Sequence, residues 1–475
     1  MKFRRNNERK AGNGSFVGNR SAAEFFALIG KIYRNCAGAF KISPAECGSA
    51  TEFAGAVCYD EGNSESERLF LFMRRKLFLL VICLVCSVCS VSCIPSPDSG
   101  RTEAQNLNGQ TMQQLHLPDG TESKMIAVWI PYFICDRLFE KSDEMTAKEN
   151  VREYLQEMQV FGVNTVFLHV CAFGESTYPS AYYPMTPTAN RLDETEIFRS
   201  VCRQLNLSLH LWINPLRLQS KEYMDLQSGS SMLTQWYQNA EKRSSALSEW
   251  NGRYYLNPAA ESTRSFLTGA VQELIDRYHP DGIHIDDYFY PTEETAFDRT
   301  DFQNSGETDL SAWRRKNITQ LVESMNNAVH QANPKTVFSV SPQGNLLKNY
   351  ESLYADVAEW CQTGECCDLL IPQIYFGYLN ELCPFAETAA EWLALPRSEK
   401  VGMAIGLAAY KIGEEDLYAG DGQYEWVRTE EILARQTGEM LREPTACGIG
   451  LYHSDSLLAL SAKEKDALIR SIKEQ

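Results

Sequence analysis

The chain has 475 residues, 44% of them hydrophobic and 11% aromatic, and a formal charge of −17 from 45 basic and 62 acidic side chains. That composition excludes a disordered or collagen-like chain and is ample for a large buried core. Residues 1–76 carry 13 Lys and Arg against eight Asp and Glu, which leaves −22 on the remainder. A body this acidic repels phosphate backbones, so nucleic acid is not an expected partner.

Residues 1–72 are rich in Gly, Asn, Ser and Ala without sustained periodicity. They are expected to be an upstream over-read or disordered, with Met73 as the true start. Met73-Arg74-Arg75-Lys76 precedes an uncharged run of 16 residues from Leu77 to Ser92. A run of this length falls short of the roughly 20 residues of a spanning helix. A basic start, a short apolar stretch and small residues describe a secretory signal. Ser90-Val91-Ser92-Cys93 resembles a bacterial lipoprotein signal, in which Cys93 becomes the lipidated N-terminus; the usual Leu three residues earlier is replaced by Ser90. A signal cleaved without lipidation is the competing reading, and a membrane anchor the third. The expected domains are therefore 73–93 signal, 94–123 flexible linker and 124–475 a single catalytic unit of an exported, envelope-attached protein.

From Met125 one theme repeats: a short apolar run, a polar loop, an amphipathic stretch. The predicted strands are Ile126–Phe133, Thr165–Val170, Ser208–Asn214, Gly282–Asp286, Thr336–Ser341, Leu369–Tyr375, Val401–Leu407 and Gly448–His453. Nearly continuous apolar runs suit parallel strands covered on both faces. Thr146-x-x-Glu149 and Asp193-x-x-Glu196 fit capping boxes, and Gly162 fits a helix end. Helices are predicted before Tyr278, over 312–332 and 428–442, and after Ser456. Eight such units point to a (β/α)8 barrel of the α/β class. An open doubly wound sheet is the alternative, without a GxGxxG or P-loop to favour it.

Barrel enzymes work at the C-terminal strand ends. The rim residues are then Cys135-Asp136, Phe173-Gly174-Glu175, Trp212 to Arg217, Asp286-Asp287-Tyr288, Ser341-Pro342-Gln343, Gln373-Ile374-Tyr375, Ala408 to Tyr410 and His453-Ser454. Three long connections, about 216–257, 289–311 and 411–427, bring Trp236, Tyr237, Trp250, Tyr254, Tyr255, Tyr418, Tyr424 and Trp426. Aromatic-rich loops on that face suit sugar rings; the alternative is that they pack the loops themselves.

The most specific segment is Asp281-Gly282-Ile283-His284-Ile285-Asp286-Asp287-Tyr288. Strand alternation puts His284, Asp286 and Tyr288 on one face and Asp287 on the other. Asp286 is then the reactive candidate, and Asp287 an acceptor for backbone or loop. Glycoside cleavage needs two carboxylates in different protonation states. Glu175 is the partner expected across the mouth. Trp212 stands at the same rim, Asn214, Arg217, Gln373 and Tyr375 supply substrate-binding groups, and Tyr288 or Tyr375 can orient a carboxylate. No cofactor is expected. His169, His210, His284 and His453 lie on strands, but no HxH, HxxxH or HExxH spacing occurs, so no metal is expected either. Cys135, Cys171, Cys202 and Cys447 sit among apolar residues as buried thiols. Cys361 with Cys366 or Cys367 is a candidate local disulfide.

Trp129, Gly162 to Val166, Tyr178-Pro179-Ser180, His210 to Arg217, Leu256-Asn257-Pro258, Asp281 to Pro291, Ser339 to Pro342 and Pro372 to Tyr375 together resemble the glycosyl-hydrolase-like 10 family, once called domain of unknown function 187. The resemblance implies an exported barrel hydrolase acting on N-acetylated bacterial glycan, notably peptidoglycan strands stripped of their stem peptides. It also sets Glu175 where members carry an acid and Asp286-Asp287 on the family's paired Asp. Cys171-Ala172-Phe173 departs from the more usual Arg-Pro. A weaker resemblance, to the chitinase-like barrels, aligns Asp281, His284, Asp286 and Tyr288 with a run that ends in a Glu proton donor. Tyrosine is a poor acid at neutral pH. The donor then comes from elsewhere, such as Glu175, with Asp286 free to hold an N-acetyl group as internal nucleophile. Otherwise the protein is a non-catalytic glycan-binding barrel of the envelope.

Overall fold

The structure, a computed structural model, describes residues 124–474. The over-read, signal, Cys93 and linker expectations lie outside the described residues. Eight strands run parallel: β1 Met125–Ile130, β2 Thr165–Ala172, β3 Ser208–Ile213, β4 Gly282–Ile285, β5 Val337–Val340, β6 Leu369–Leu370, β7 Gly402–Ala408 and β8 Gly448–Tyr452. Each pairs with the next, and β8 returns to β1 through Met125 opposite Gly448, closing the ring. Helices follow the strands, so this is a (β/α)8 barrel.

All eight predicted strands are present because each is buried on both faces; every residue of β2 and β3 is buried. Six end earlier than predicted, while β2 and β7 run on to Ala172 and Ala408. Tyr132 and Phe133 open a helix, Tyr132–Phe139, and β6 shrinks to two residues before Gln373 bridges separately to Gln343 and Gly406. The first long helix starts earlier than the Thr146 box implies, because Asp143 caps it by accepting from the Thr146 amide at 2.8 Å. The Asp193 box forms as expected, with Asp193 accepting from the Glu196 amide at 2.9 Å.

Rings fill the barrel axis. Trp129 Nε1 donates to His284 Nε2 at 3.0 Å, and Phe167 stacks on His284 with centroids 4.4 Å apart. Glycines opposite make the room. A Cβ on Gly282 would run into the His210 ring, and one on Gly450 would meet Trp129 at 2.5 Å. Since Nε2 of His284 accepts, Nδ1 carries the proton toward Ser339 Oγ, 2.8 Å away, and the ring is neutral. Burial pushes its pKa well down.

The long connections are folded. Residues 217–256 form an antiparallel sheet, Arg217–Ser220, Arg253–Leu256 and Leu247–Trp250, with three short helices. Residues 289–311 are pinned by Arg314, fully buried between Tyr290 and Tyr354, whose guanidinium donates to both oxygens of Asp298 at 2.8 and 2.6 Å. Glu425 pins the third by accepting from the amides of Tyr378 and Leu379. The eight described cysteines are free thiols, so the Cys361 disulfide does not form; all are buried except the half-buried Cys447.

Candidate active site

The C-terminal face gathers the predicted acids into two groups. The first sits at the end of β4. Alternation stops at Ile285, where the chain bends, so both acids face the mouth, contrary to the opposed orientation expected of an extended strand. Asp286, only 4% exposed, accepts from Trp212 Nε1 at 3.0 Å and Asn214 Nδ2 at 2.5 Å, both from the end of β3. Asp287 accepts from the side-chain amides of Gln343 and, at 3.0 Å, Gln373, beyond β5 and β6. It is thus tied to side chains of the connections at the mouth, with a backbone contribution from its own amide.

Burial first, and the Asp287 charge second, push the Asp286 pKa up to about 8, against the donors Tyr288, Trp212 and Asn214. Asp287 is raised by burial too, with Gln343 and Gln373 opposing. Two neighbouring buried carboxyls resist double ionisation. The pair therefore holds a proton at neutral pH.

Glu175 belongs to the second group. It follows β2 in a two-residue strand that folds back on Ala172, after Phe173 and Gly174 at φ 54° and 82°. Its oxygens accept from Tyr223 OH at 2.5 Å and Gln219 Nε2 at 2.9 Å. Burial raises its pKa, those two donors lower it, and Asp136 adds a further upward push. Glu175, Asp136, Thr177, Gln219, Tyr223 and Arg253 line a cavity of about 380 Å³ together with Tyr132 and Phe173.

Asp286 and Asp287 do not line that cavity. What adjoins the two groups is one cation. The Arg217 guanidinium lies beside the Phe173 and Tyr288 rings, 4.9 and 4.7 Å from their centres, while the two rings meet edge-on with centres 6.2 Å apart. Phe173 is two residues before Glu175 and Tyr288 two after Asp286, so the segments meet where these two rings touch, with the arginine against both. Asn214 links them again, since its Oδ1 accepts from the Phe173 amide while its Nδ2 serves Asp286. Tyr375 stacks on Tyr452 at 5.7 Å, with Tyr410 edge-on to both.

The loop aromatics do other work than expected. Trp236 packs on Phe266, Tyr237 on Tyr254, and Trp250 and Tyr255 on Phe297, while Trp426 is buried. Tyr418 and Tyr424 stay exposed. The partly exposed aromatics of the rim are instead Tyr132, Phe133 and Tyr410. The four strand histidines are packing rings. His169 stacks on Trp212 at 3.6 Å, His210 is edge-on to Phe167 at 5.1 Å, and His453 is edge-on to Phe133 at 5.5 Å. Burial takes His169 and His210 down to about 3.

Gln219, Tyr223 and Arg253 were not expected from sequence. A signal for them exists: Asn251-Gly252, between Leu247–Trp250 and Arg253–Leu256, is a two-residue hairpin turn, and both residues have positive φ, 49° and 73°. That hairpin brings the inserted sheet, and with it all three side chains, to the mouth.

Comparison with known proteins agrees with this architecture. Residues 124–425 match the glycosyl hydrolase-like 10 family. Glycosyl hydrolase YngK of Bacillus subtilis is 27% identical over 330 residues, 62% of this chain and 62% of that protein. Glycosyl hydrolase DigH of Escherichia coli is 27% identical over 289 residues, 55% of this chain and 65% of that protein. The chain thus spans less than two thirds of the length of either relative. The PgaB (BpsB) glycoside hydrolase domain of Bordetella bronchiseptica superposes with a TM-score of 0.47 at 14% identity, covering 74% of this chain and 99% of that domain. With more than half of its residues matched in order, the chain belongs to the glycosyl hydrolase-like 10 family.

Proposed function

We propose that the protein is an exported glycoside hydrolase that cleaves N-acetylated bacterial cell-wall glycan, in particular peptidoglycan strands without stem peptides. The observation that carries the reading is the Asp286-Asp287 pair at the barrel mouth, held by four side-chain donors, with burial raising the pKa of both acids. Glycoside cleavage requires a proton for the leaving oxygen and a negative charge for the oxocarbenium-like transition state. In this reading Asp286 and Asp287 supply the charge, stabilising the sugar cation or holding the acetamide of the substrate as internal nucleophile. Glu175, raised by burial, supplies the proton from the adjoining group of side chains. Trp212 and Asn214 fix Asp286, Gln373 fixes Asp287, and Tyr288, Tyr375 and Arg217 offer ring faces and donors to the glycan.

Export and envelope attachment rest on the basic start, the apolar run and Cys93. Labelled fatty acid incorporated by the wild type but not by Cys93→Ala is the expected result. For the activity, purified peptide-free glycan strands are incubated with wild type, Asp286→Asn and Glu175→Gln, and soluble fragments are measured. Release by the wild type alone supports the assignment. Equal release by all three proteins overturns both site roles.

One feature of the sequence favours the second reading, a glycan-binding barrel without catalysis: Tyr288 stands where chitinase-like barrels keep a Glu donor. Strand binding without release by the wild type is its signature.

A further inference from the structure

Two cations buried away from the mouth are closed by carboxylates. Arg314 is closed by Asp298 at 2.6 Å, and the largely buried Lys411 by Asp416 at 2.6 Å. Two arginines of the mouth break this pattern. Arg217 is held by the Phe173 and Tyr288 rings, and its buried Nε has no hydrogen-bond partner. Arg253 lies 5.6 Å from the centre of the same Phe173 ring and donates only to the Leu218 carbonyl, at 2.6 Å. Among the described residues neither has a carboxylate in ion-pair range. The acids of the adjoining cavity do not serve as counter-ions: Glu175 is committed to Tyr223 and Gln219. Asp136 lines the same cavity, and burial raises its pKa, which disfavours its charge.

Both arginines sit on the inserted sheet, on adjacent antiparallel strands in which Arg217 faces Tyr255 and Ser220 faces Arg253. They are close enough to disturb each other. Burial and then the Arg217 charge lower the Arg253 pKa. Two half-buried like charges without a partner carry a desolvation and repulsion cost that an incoming anion relieves. Guanidinium forks match a planar carboxylate better than any other ligand group of a glycan. The clamp also lies where the chemistry is proposed, since Tyr288 follows Asp286 by two residues and Phe173 precedes Glu175 by two.

We propose that Arg217 and Arg253 form a carboxylate-binding subsite at the barrel mouth, which selects glycans carrying an acidic sugar. This rests on the glycosidase reading above and deepens it. The carboxylate has two chemical sources, the lactyl ether of a muramic acid or a uronic acid, and the experiment separates them.

Equilibrium binding is measured calorimetrically on the full-length Asp286→Asn protein, so that turnover plays no part. The probes are peptide-free oligomers of N-acetylglucosamine and N-acetylmuramic acid, the same oligomers with the carboxyl reduced to an alcohol, and trigalacturonate. The acidic oligomer is expected to bind about tenfold or more tighter than the reduced one, from charge-assisted hydrogen bonds. Adding Arg217→Gln or Arg253→Gln removes that preference, so that the acidic oligomer binds no tighter than the reduced one. Equal binding of acidic and reduced oligomers overturns the subsite while leaving the glycan-strand reading standing. Tight binding of trigalacturonate alone upholds the subsite and overturns peptidoglycan as the substrate. Binding of no probe overturns both.

Discussion

Asp286 and Asp287 are consecutive in the chain, yet their carboxylates are held from the two flanks of β4. Trp212 and Asn214 donate to the first from β3, and Gln343 and Gln373 to the second from beyond β5 and β6. Neither acid is neutralised by a cation within the pair's own hydrogen bonds. The pair therefore behaves as one titrating unit whose total charge, rather than either residue alone, sets the electrostatics of the mouth.

Asp286→Asn is expected to lower turnover by about 100-fold or more. Its effect on stability has the opposite sign. The folded pKa of Asp286, about 8, lies above its ordinary value near 3.8, so folding is most favoured while the group is protonated in both states. Stability from this group falls as pH rises above about 4 and levels off above about 8. The asparagine variant should thus melt at a higher temperature than wild type at pH 8 and show a flatter dependence between those limits. Differential scanning calorimetry across pH checks it, and a lower melting temperature at pH 8 would refute it.

Asp287→Asn removes the neighbouring charge that helps hold the Asp286 proton. The Asp286 pKa then falls, by about one unit or more. If the shared proton is needed for turnover, the alkaline fall of kcat/KM should move toward neutral pH in this variant. An alkaline limb that stays where it is in the wild type counts against a shared proton.

Tyr223→Phe takes a hydrogen-bond donor from the Glu175 carboxylate. The ionised form loses support, so the Glu175 pKa should rise further, by about one unit. Titration of labelled glutamate by carbon NMR would show it directly, and an unchanged Glu175 titration would mean that the tyrosine hydroxyl does not reach the carboxylate in solution.

Gly450→Ala places a methyl against Trp129 in the barrel axis. Overpacking of a closed ring costs about 1–3 kcal/mol. A shifted denaturant midpoint with unchanged slope is the expected result. Because Trp129 also donates to His284, indole fluorescence should change in the folded state.

The barrel was legible in the sequence because a doubly covered parallel strand has no polar face to blur it. The second strand could be read from its first residue, Thr165, to within two of its last, Ala172. The ends were harder. Gly282–Asp286 reads as one strand, and nothing in its composition marks the bend that turns Asp287 back to the mouth beside Asp286. At the first helix the Thr146 box lost to Asp143, whose carboxylate accepts from the Thr146 amide and starts the helix one turn earlier. The aromatic loops misled for a physical reason. Trp250, Tyr254 and Tyr255 follow the alternation of a sheet, and a sheet with one covered face spends its rings on packing. Phe173 and Arg217 were both visible as rim residues. That one stacks on the other depends on β2 and β3 being neighbours, which no local pattern encodes.

Below Asp286 the barrel has no open bore. Trp129, Phe167 and His284 form a stopper of rings, with His284 fixed as a neutral donor to Ser339. A proton leaving or reaching the pair must therefore travel by the mouth. In the glycosidase reading proposed above, a seated glycan covers that entrance, and re-equilibration with bulk solvent then waits for departure of the fragments. Burst experiments in heavy water, in which the first turnover carries the isotope loaded before mixing, would read out that delay.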